Sequence, residues 1–222
     1  MLNFYKIIFF NMTIFSTLIV ISSMSWLYAW MGLEMNLLSI IPLMINNKSS
    51  SESSIKYFII QAMASSLFLF CIIMNLYNKN FNLKIEMYTS MMLNMAILLK
   101  MGAAPLHFWL PEVVSGLNWN MTFMVLTWQK IAPMILLSYT LNNMKFMMFI
   151  IMISAMIGSL QGFNQTCLRK ILAYSSINHM SWMLASLMYS LTIWMVYFLI
   201  YSIINAMIIL MFKKYNIFFI NQ

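Results

Sequence analysis

The chain has 222 residues, of which 63% are hydrophobic and only 7% are charged, and its formal net charge at pH 7 is +8. Soluble domains carry roughly 25% charged residues, so this composition excludes a water-soluble globular fold. The apolar runs are continuous and do not alternate with period two, which favours membrane-spanning helices over a barrel. We therefore predict an all-α polytopic membrane protein with about eight transmembrane helices, which form a single transmembrane helical domain over residues 1–222.

The composition also bears on partners and cofactors. The lysines are scattered and form no basic stripe, so the lipid bilayer is a predicted partner and nucleic acid is not. Cys71 and Cys167 have no CxxC spacing, and no cluster of His, Cys or carboxylate has the spacing of a metal site. The sequence contains no Asp, no G-x-G-x-x-G and no P-loop. We expect this chain to bind no cofactor and no metal of its own.

The predicted helices follow the apolar runs in chain order. The first run, after Lys6, lacks a cleavage site and is interpreted as a retained span. Polar connections are predicted at residues 46–56 and 78–86. Gly102 and Pro105 break the fourth helix near residues 102–105, and a shorter helical piece follows at 105–117. The predicted spans cover residues 6–23, 26–45, 57–77, 87–101, 121–141, 146–163, 171–189 and 192–212.

Three ionisable side chains fall deep within these spans: Glu34 in the second, Lys100 beside the break, and Lys130 in the fifth. An ionised side chain at the centre of a membrane helix costs at least ~2.5 kcal/mol. Paired carboxylates and ammonium groups can keep their charge, and a change in the distance between partners then moves a proton. The alternative is a set of static ion pairs that specifies helix packing. Because three such residues lie at similar depth, we favour proton translocation.

Two further features lie close to these residues. Pro133 cannot donate a hydrogen bond to the carbonyl of Gln129, so a helix bend is predicted beside Lys130. His179 is a candidate proton relay near neutral pH, and His107 is a weaker one. For both histidines the alternative is a hydrogen bond that serves packing.

Five separated motifs resemble those of the antiporter-like subunits of respiratory complex I. They are Trp30-Met-Gly-Leu-Glu34-Met-Asn-Leu, Lys100-Met-Gly-Ala-Ala-Pro-Leu-His-Phe-Trp-Leu-Pro-Glu112, Thr127-Trp-Gln-Lys130-Ile-Ala-Pro133, Gly158-Ser-Leu-Gln-Gly-Phe-Asn-Gln165 and Ile171-Leu-Ala-Tyr-Ser-Ser-Ile-Asn-His-Met180. They occur in the family's order and cover nearly the whole chain.

The resemblance implies a proton channel in the membrane arm of NADH:ubiquinone oxidoreductase, with other membrane-arm subunits as partners. Glu34, Lys100 and Lys130 match the family's glutamate, broken-helix lysine and next-helix lysine. In the family, opening and closing of the first pair resets the protonation of the second lysine. NADH, FMN, iron–sulfur clusters and ubiquinone would be used by other subunits, so the chain would belong to a translocating reductase without doing redox chemistry itself.

The resemblance and the composition also suggest a location and a length. The 27 methionines, with abundant Asn, Phe, Tyr and Ile, fit an AT-rich organellar genome that reads an additional codon as Met. We therefore expect a multi-pass protein of the inner mitochondrial membrane. Members of the family continue into a second broken helix that carries another lysine, so we expect a partial chain without the C-terminal helices.

Two rival functions stay open at this point. One is a cation/proton antiporter subunit of the same ancestry, although the residues of the motifs resemble those of complex I more. The other is a membrane scaffold that conducts nothing, in which the buried lysines only form packing pairs.

The distribution of basic residues predicts the topology. Seven of them fall on the side of the N-terminus if the broken helix crosses once, and three, Lys79, Lys84 and Lys145, fall on the other. The positive-inside rule then places the N-terminus and residues 48–56 and 169–170 in the matrix. Single cysteines introduced there should resist a membrane-impermeant reagent added to intact mitochondria whose outer membrane has been opened. Labelling from the intermembrane side would contradict this topology.

Overall fold

The computed structural model describes residues 2–45, 48–77, 83–141 and 143–220. Within these ranges the only β-type pairing is an isolated bridge between Cys167 and Phe219. The helices are α1 Leu2–Ser22, α2 Trp26–Met44, α3 Lys48–Tyr77, α4 Leu83–Met101, α5 Trp109–Gly116, α6 Trp119–Leu126, α7 Trp128–Ser138, α8 Met144–Phe163, α9 Leu168–Tyr189 and α10 Leu191–Tyr215. The all-α class is therefore confirmed.

The described helices include 6 stretches that are long and apolar enough to cross a bilayer. They lie in α1, α2, α3, α8 and α10, and in α6 and α7 taken together. Helices α4 and α9 have 19 and 22 residues but are more polar. The prediction of a polytopic membrane protein is confirmed, and these two polar helices account for the difference from about eight spans.

The chain divides into two compact units. Unit 1 consists of Met1–Lys100 and Ile131–Asn142, and unit 2 consists of Met101–Lys130 and Asn143–Gln222. Lys100 therefore belongs to unit 1 and Lys130 to unit 2. The prediction of a single transmembrane domain over residues 1–222 stays a prediction.

In unit 1, α1 packs against α2 through small side chains. Thr13, Ser16 and Thr17 are buried on α1, and each hydroxyl donates to a carbonyl three residues earlier in the same helix. On α2, a Cβ added to Gly32 would lie 2.7 Å from the side chain of Val20. Small residues with internally satisfied hydroxyls allow two membrane helices to approach closely.

The start of α3 differs from the prediction. Residues 48–56 were expected to form an aqueous connection before a helix at 57, but α3 begins at Lys48. The hydroxyl of Ser53 donates to the carbonyls of Ser49 and Ser50, and that of Ser54 donates to Ser51. Because the helix satisfies its own serine hydroxyls, these residues can be buried in its first turns. The remaining residues of this predicted connection, 46 and 47, lie outside the described residues.

The fourth predicted helix is broken where Gly102 was expected to break it. Helix α4 ends at Met101, and Gly102 has a φ of +72°, a left-handed conformation that favours glycine. The short piece expected at 105–117 is α5, which begins only at Trp109. Helix α4 starts at Leu83 rather than 87, and residues 78–82 of the predicted connection lie outside the described residues.

The fifth predicted helix is interrupted at Thr127, between α6 and α7. Pro133 lies inside α7, and the bend expected there stays a prediction. Thr127 has φ −117° and ψ −74°, and its hydroxyl donates to the carbonyl of Phe123 at 2.7 Å. A threonine hydroxyl bonded four residues back bends a helix, and here it does so one turn before Lys130.

In unit 2, α8 packs on α9 at a glycine. A Cβ on Gly158 would lie 2.7 Å from the backbone nitrogen of Asn178, whereas a Cβ on Gly162 would lie at an ordinary 3.4 Å from Tyr174. The two helices therefore pack more closely at Gly158 than at Gly162.

We predict that Gly158→Ala destabilises the protein by about 1–3 kcal/mol, because backbone atoms of α9 must move to accept the methyl group. Gly162→Ala is the matched control, since it makes the same change on the same helix with room for the methyl group. Thermal unfolding of the purified full-length subunit would measure the difference. Equal melting temperatures for the two variants would contradict the close packing.

Candidate functional site

Glu34 and Lys100 lie in the same unit, on α2 and in the last turn of α4. Glu34 is half-buried, and Lys100 is only 7% exposed. The Lys100 ammonium lies within electrostatic range of the Glu34 carboxylate. A cation in the last turn of a helix is also favoured by the partial negative charge of the helix C-terminus. Among the described residues of unit 1, the half-buried Glu34 and the buried Lys100 thus form an acid–base pair at the end of α4.

A residue that the sequence analysis did not single out lies at the same break. The side-chain amide of Gln61, on α3, donates to the backbone carbonyl of Lys100 at 2.9 Å and is itself buried. The last four carbonyls of a helix have no partner within it. Gln61 supplies a partner for one of them, so it ties the broken end of α4 to α3.

Lys130 is the most completely buried charged residue of unit 2, at 1% exposure. Its ammonium donates to the backbone carbonyl of Ser176 at 3.4 Å and to the hydroxyl of Tyr201 at 3.2 Å. It also lies 5.1 Å from the centre of the Tyr201 ring, within cation–π range. These acceptors are neutral, so they can hold either form of the lysine, and neither fixes its charge as a carboxylate would.

His179 belongs to the same cluster. Its Nδ1 lies 2.9 Å from the hydroxyl of Tyr197, and its ring centre lies 5.2 Å from that of Tyr201. It is also within electrostatic range of Lys130. The structure therefore brings this candidate relay close to Lys130.

His107 has a different environment. It is fully buried, with Nδ1 3.2 Å from the carbonyl of Pro105 and Nε2 3.0 Å from the amide oxygen of Gln161. Both ring nitrogens therefore contact groups of unit 2, one in the segment after the helix break and one on α8. This arrangement fastens that segment to α8, which favours the packing interpretation of His107.

The predicted site residues thus form two clusters, one in each unit. Glu34 and Lys100 form the first, and Lys130 and His179 the second. Sequence reasoning missed Gln61 and the polar residues of α10. The latter had a signal in the sequence, because Tyr197, Tyr201 and Asn205 recur every four residues in an apolar helix. In the described part of the chain, no group of three or more His, Cys, Asp or Glu side chains could hold a metal ion.

The fold and the two clusters define a class: polytopic helical membrane proteins in which buried lysines lie beside interrupted helices. Residues 23–217 match the family described as the NADH:quinone oxidoreductase/Mrp antiporter transmembrane family. The chain belongs to this family.

Relatives and solved structures agree with that assignment. The chain is 52% identical to NADH-ubiquinone oxidoreductase chain 2 of Anopheles gambiae over 97% of its own length and 64% of that protein's length. It superimposes with a TM-score of 0.82 on a chain of respiratory complex I from Thermus thermophilus, at 21% identity, over 91% of this chain and 51% of that chain. The Mrp complex from Dietzia sp. gives 0.81 at 15% identity, over 90% and 43%. The last two likenesses concern the fold alone.

The contact of Gln61 gives a stability prediction. Gln61→Leu should destabilise the protein by about 1–3 kcal/mol, because the buried carbonyl of Lys100 loses its hydrogen bond. Ser66→Ala on the same helix is the control, since that hydroxyl is exposed and bonds only to its own helix. Thermal unfolding of the full-length subunit in detergent is the measurement. A Gln61→Leu protein that melts like Ser66→Ala would show that the amide does not stabilise the break.

Proposed function

We propose that this chain is part of a core membrane subunit of NADH:ubiquinone oxidoreductase, respiratory complex I. In this proposal it takes part in proton translocation across the inner mitochondrial membrane, driven by electron transfer from NADH to ubiquinone. The observation that carries the proposal is Lys130, which is 1% exposed and held by neutral acceptors beside a helix break. Membership of the family and the 52% identity to a complex I chain 2 support it.

The proposal assigns electron transfer to other subunits. NADH, FMN, the iron–sulfur clusters and ubiquinone would be used there, and the partners of this chain would be other membrane-arm subunits and the lipid bilayer. The relative's printed name, NADH-ubiquinone oxidoreductase chain 2, supports a multi-subunit setting. This chain would then contribute side chains that accept and release protons, and its enzyme class would be that of the assembled translocase.

Glu34 and Lys100 would act as an adjustable pair. Burial favours the neutral form of a lysine, whereas a nearby carboxylate favours its charged form. A conformational change that moves Glu34 relative to Lys100 would therefore alter the protonation of Lys100. The helix break that follows Met101 supports this role, because Lys100 lies in the last turn of an interrupted helix and its carbonyl is bonded by Gln61 of α3.

Lys130 would be the next proton carrier, as the family resemblance implies. In the family, the state of the first pair resets the protonation of the second lysine, so a change in the Glu34–Lys100 pair would be followed by release of the Lys130 proton. His179 would be the first relay. It lies within electrostatic range of Lys130, and its ring is hydrogen-bonded to Tyr197. Imidazole suits this step because it can accept a proton on one nitrogen while it donates from the other.

A cation/proton antiporter subunit is the second candidate function. The likeness of the fold to the Mrp complex from Dietzia sp. favours it, with a TM-score of 0.81. The two candidates differ in what drives the protons. Proton uptake powered by NADH oxidation, without exchange for Na⁺ or K⁺, supports the complex I role, and cation exchange without NADH supports the antiporter.

We predict that Glu34→Gln, Lys100→Met and Lys130→Met, made in the full-length subunit of an assembled complex, each reduce proton pumping to about half or less. Groups that transfer protons commonly contribute a factor of ~10²–10⁴ to the rate of the step they serve, so loss of one route should dominate the effect. Pumping would be measured in proteoliposomes as protons moved per NADH oxidised. Oxidation of NADH by an artificial acceptor at the peripheral arm should stay at the wild-type rate.

Lys213→Met is the matched control, because it removes the charge of an exposed lysine at the end of α10. It should pump like the wild type. Wild-type ratios of protons to electrons in all three site variants would reject the mechanism and leave Glu34, Lys100 and Lys130 as packing pairs.

A further inference from the structure

Tyr201 lies in the middle of α10 and is 4% exposed. Its hydroxyl makes two hydrogen bonds with residues around the break between α6 and α7. It donates to the backbone carbonyl of Leu126 at 3.0 Å, and it accepts from the Lys130 ammonium at 3.2 Å. One side chain therefore links the buried lysine to the end of the preceding helix.

The carbonyl of Leu126 is available to Tyr201 because of the break. In a continuous helix the backbone N–H of Lys130 would donate to this carbonyl, four residues earlier. Here that N–H donates to the carbonyl of Thr127 at 3.0 Å. The Leu126 oxygen lies at the last residue of α6, and Tyr201 takes the place of the missing helical donor. The Tyr201 hydroxyl thus replaces the backbone N–H of Lys130 as the donor to Leu126. The same hydroxyl also accepts from the side chain of Lys130.

These contacts fix the direction of the hydroxyl. A tyrosine hydroxyl has one proton and two lone pairs. While the proton is directed at Leu126, only the lone pairs are available to Lys130, and they match an N–H donor. The Tyr201 ring also faces the ammonium at 5.1 Å. The ring favours the charged form of Lys130, whereas both acceptors can also take an N–H of the neutral amine.

The surroundings of the hydroxyl are polar on α9 and α10. The Ser176 carbonyl is the second acceptor for Lys130, and the Ser176 hydroxyl lies near the Tyr201 oxygen. Asn205, one turn further along α10, also lies near this oxygen, and its side-chain nitrogen is buried without a hydrogen bond to the described residues. Tyr197, one turn before Tyr201 on α10, has its hydroxyl bonded to His179.

We propose that Tyr201 is a positioning residue for Lys130: its hydroxyl holds the protonated ammonium at the break between α6 and α7. When Lys130 loses its proton, its nitrogen gains a lone pair and can accept a hydrogen bond. The Tyr201 hydroxyl can then turn from Leu126 to Lys130, which leaves the Leu126 carbonyl without its donor. Tyr201 thereby couples the protonation of Lys130 to the hydrogen bonding of the interrupted helix. This inference rests on the proposed role of Lys130 in proton translocation.

The test compares three substitutions of Tyr201 in the assembled complex, with protons pumped per NADH oxidised as the readout. Tyr201→Phe keeps the ring and removes both hydrogen bonds. Tyr201→His keeps a donor and an acceptor, although on a shorter side chain. Ser202→Ala is the matched control, because it removes a hydroxyl of the same helix that donates to the carbonyl of Leu199 and touches neither Lys130 nor Leu126. Assembled complexes are counted by NADH oxidation at the peripheral arm.

We expect Tyr201→Phe to show at least about half of the pumping deficit of Lys130→Met, since a hydrogen bond to a charged group is among the stronger ones in proteins. Tyr201→His should regain part of the ratio, and Ser202→Ala should keep the wild-type ratio. A ring that served packing alone would leave the ratio per complex unchanged in Tyr201→Phe. If Tyr201→Phe does not assemble, Tyr201→Trp replaces it, because indole can donate to Leu126 but cannot accept from Lys130.

The outcome also separates this inference from the proposed function. A strong loss in Lys130→Met with a wild-type ratio in Tyr201→Phe overturns the role of Tyr201 and leaves the function standing. Wild-type ratios in Lys130→Met and Tyr201→Phe overturn both, since a lysine that moves no proton needs no positioning residue. A deficit in Tyr201→Phe that Tyr201→His partly restores supports the inference.

Discussion

Backbone groups that lose their helical hydrogen bonds at a helix break need other partners inside an apolar medium. The rest of the structure depends on this constraint. An unsatisfied polar group in hydrocarbon costs several kcal/mol, and a membrane interior offers no water to replace the partner. Side chains from other helices meet this need at three helix ends. The acceptors are the backbone carbonyls of Lys100, Leu126 and Leu117. Their donors are the side chains of Gln61, Tyr201 and, at 2.7 Å, Arg169. Each interruption is thereby fixed within its own unit by a residue distant in sequence.

Part of this arrangement is readable from the sequence. Uninterrupted apolar runs predict the helices, and Gly102 next to Pro105 predicts the break after Lys100, because both residues have strong local effects on the backbone. The break at Thr127 could not be read in the same way. Thr and Pro both occur in this stretch, and Pro133 has the stronger effect on an isolated helix. The helix is interrupted at Thr127, where the hydroxyl of Tyr201, 75 residues away from Leu126, takes up the Leu126 carbonyl.

The serines at the start of α3 also show a structural feature that could not be predicted from the sequence. A run of serines with charged neighbours has the composition of a connection exposed to water, and no local rule says that its hydroxyls will bond to their own helix. Ser50, Ser53 and Ser54 are nevertheless buried, at 1%, 3% and 2% exposure. Gln61 was equally hidden in sequence terms, because its partner, the carbonyl of Lys100, is 39 residues away. Tertiary contacts of this kind decide which polar residues can be enclosed.

The position of both buried lysines beside helix breaks follows from what an ammonium requires. It has three donors and no acceptor, and a carbonyl of a regular helix, already engaged by a backbone N–H, offers only its second lone pair. Lys130 therefore relies on oxygens that can take an additional bond, namely the Ser176 carbonyl and the Tyr201 hydroxyl. The Tyr201 hydroxyl is held there by the carbonyl that the break released at Leu126. The interruption that weakens the helix is thus the feature that lets unit 2 hold a buried lysine with neutral acceptors.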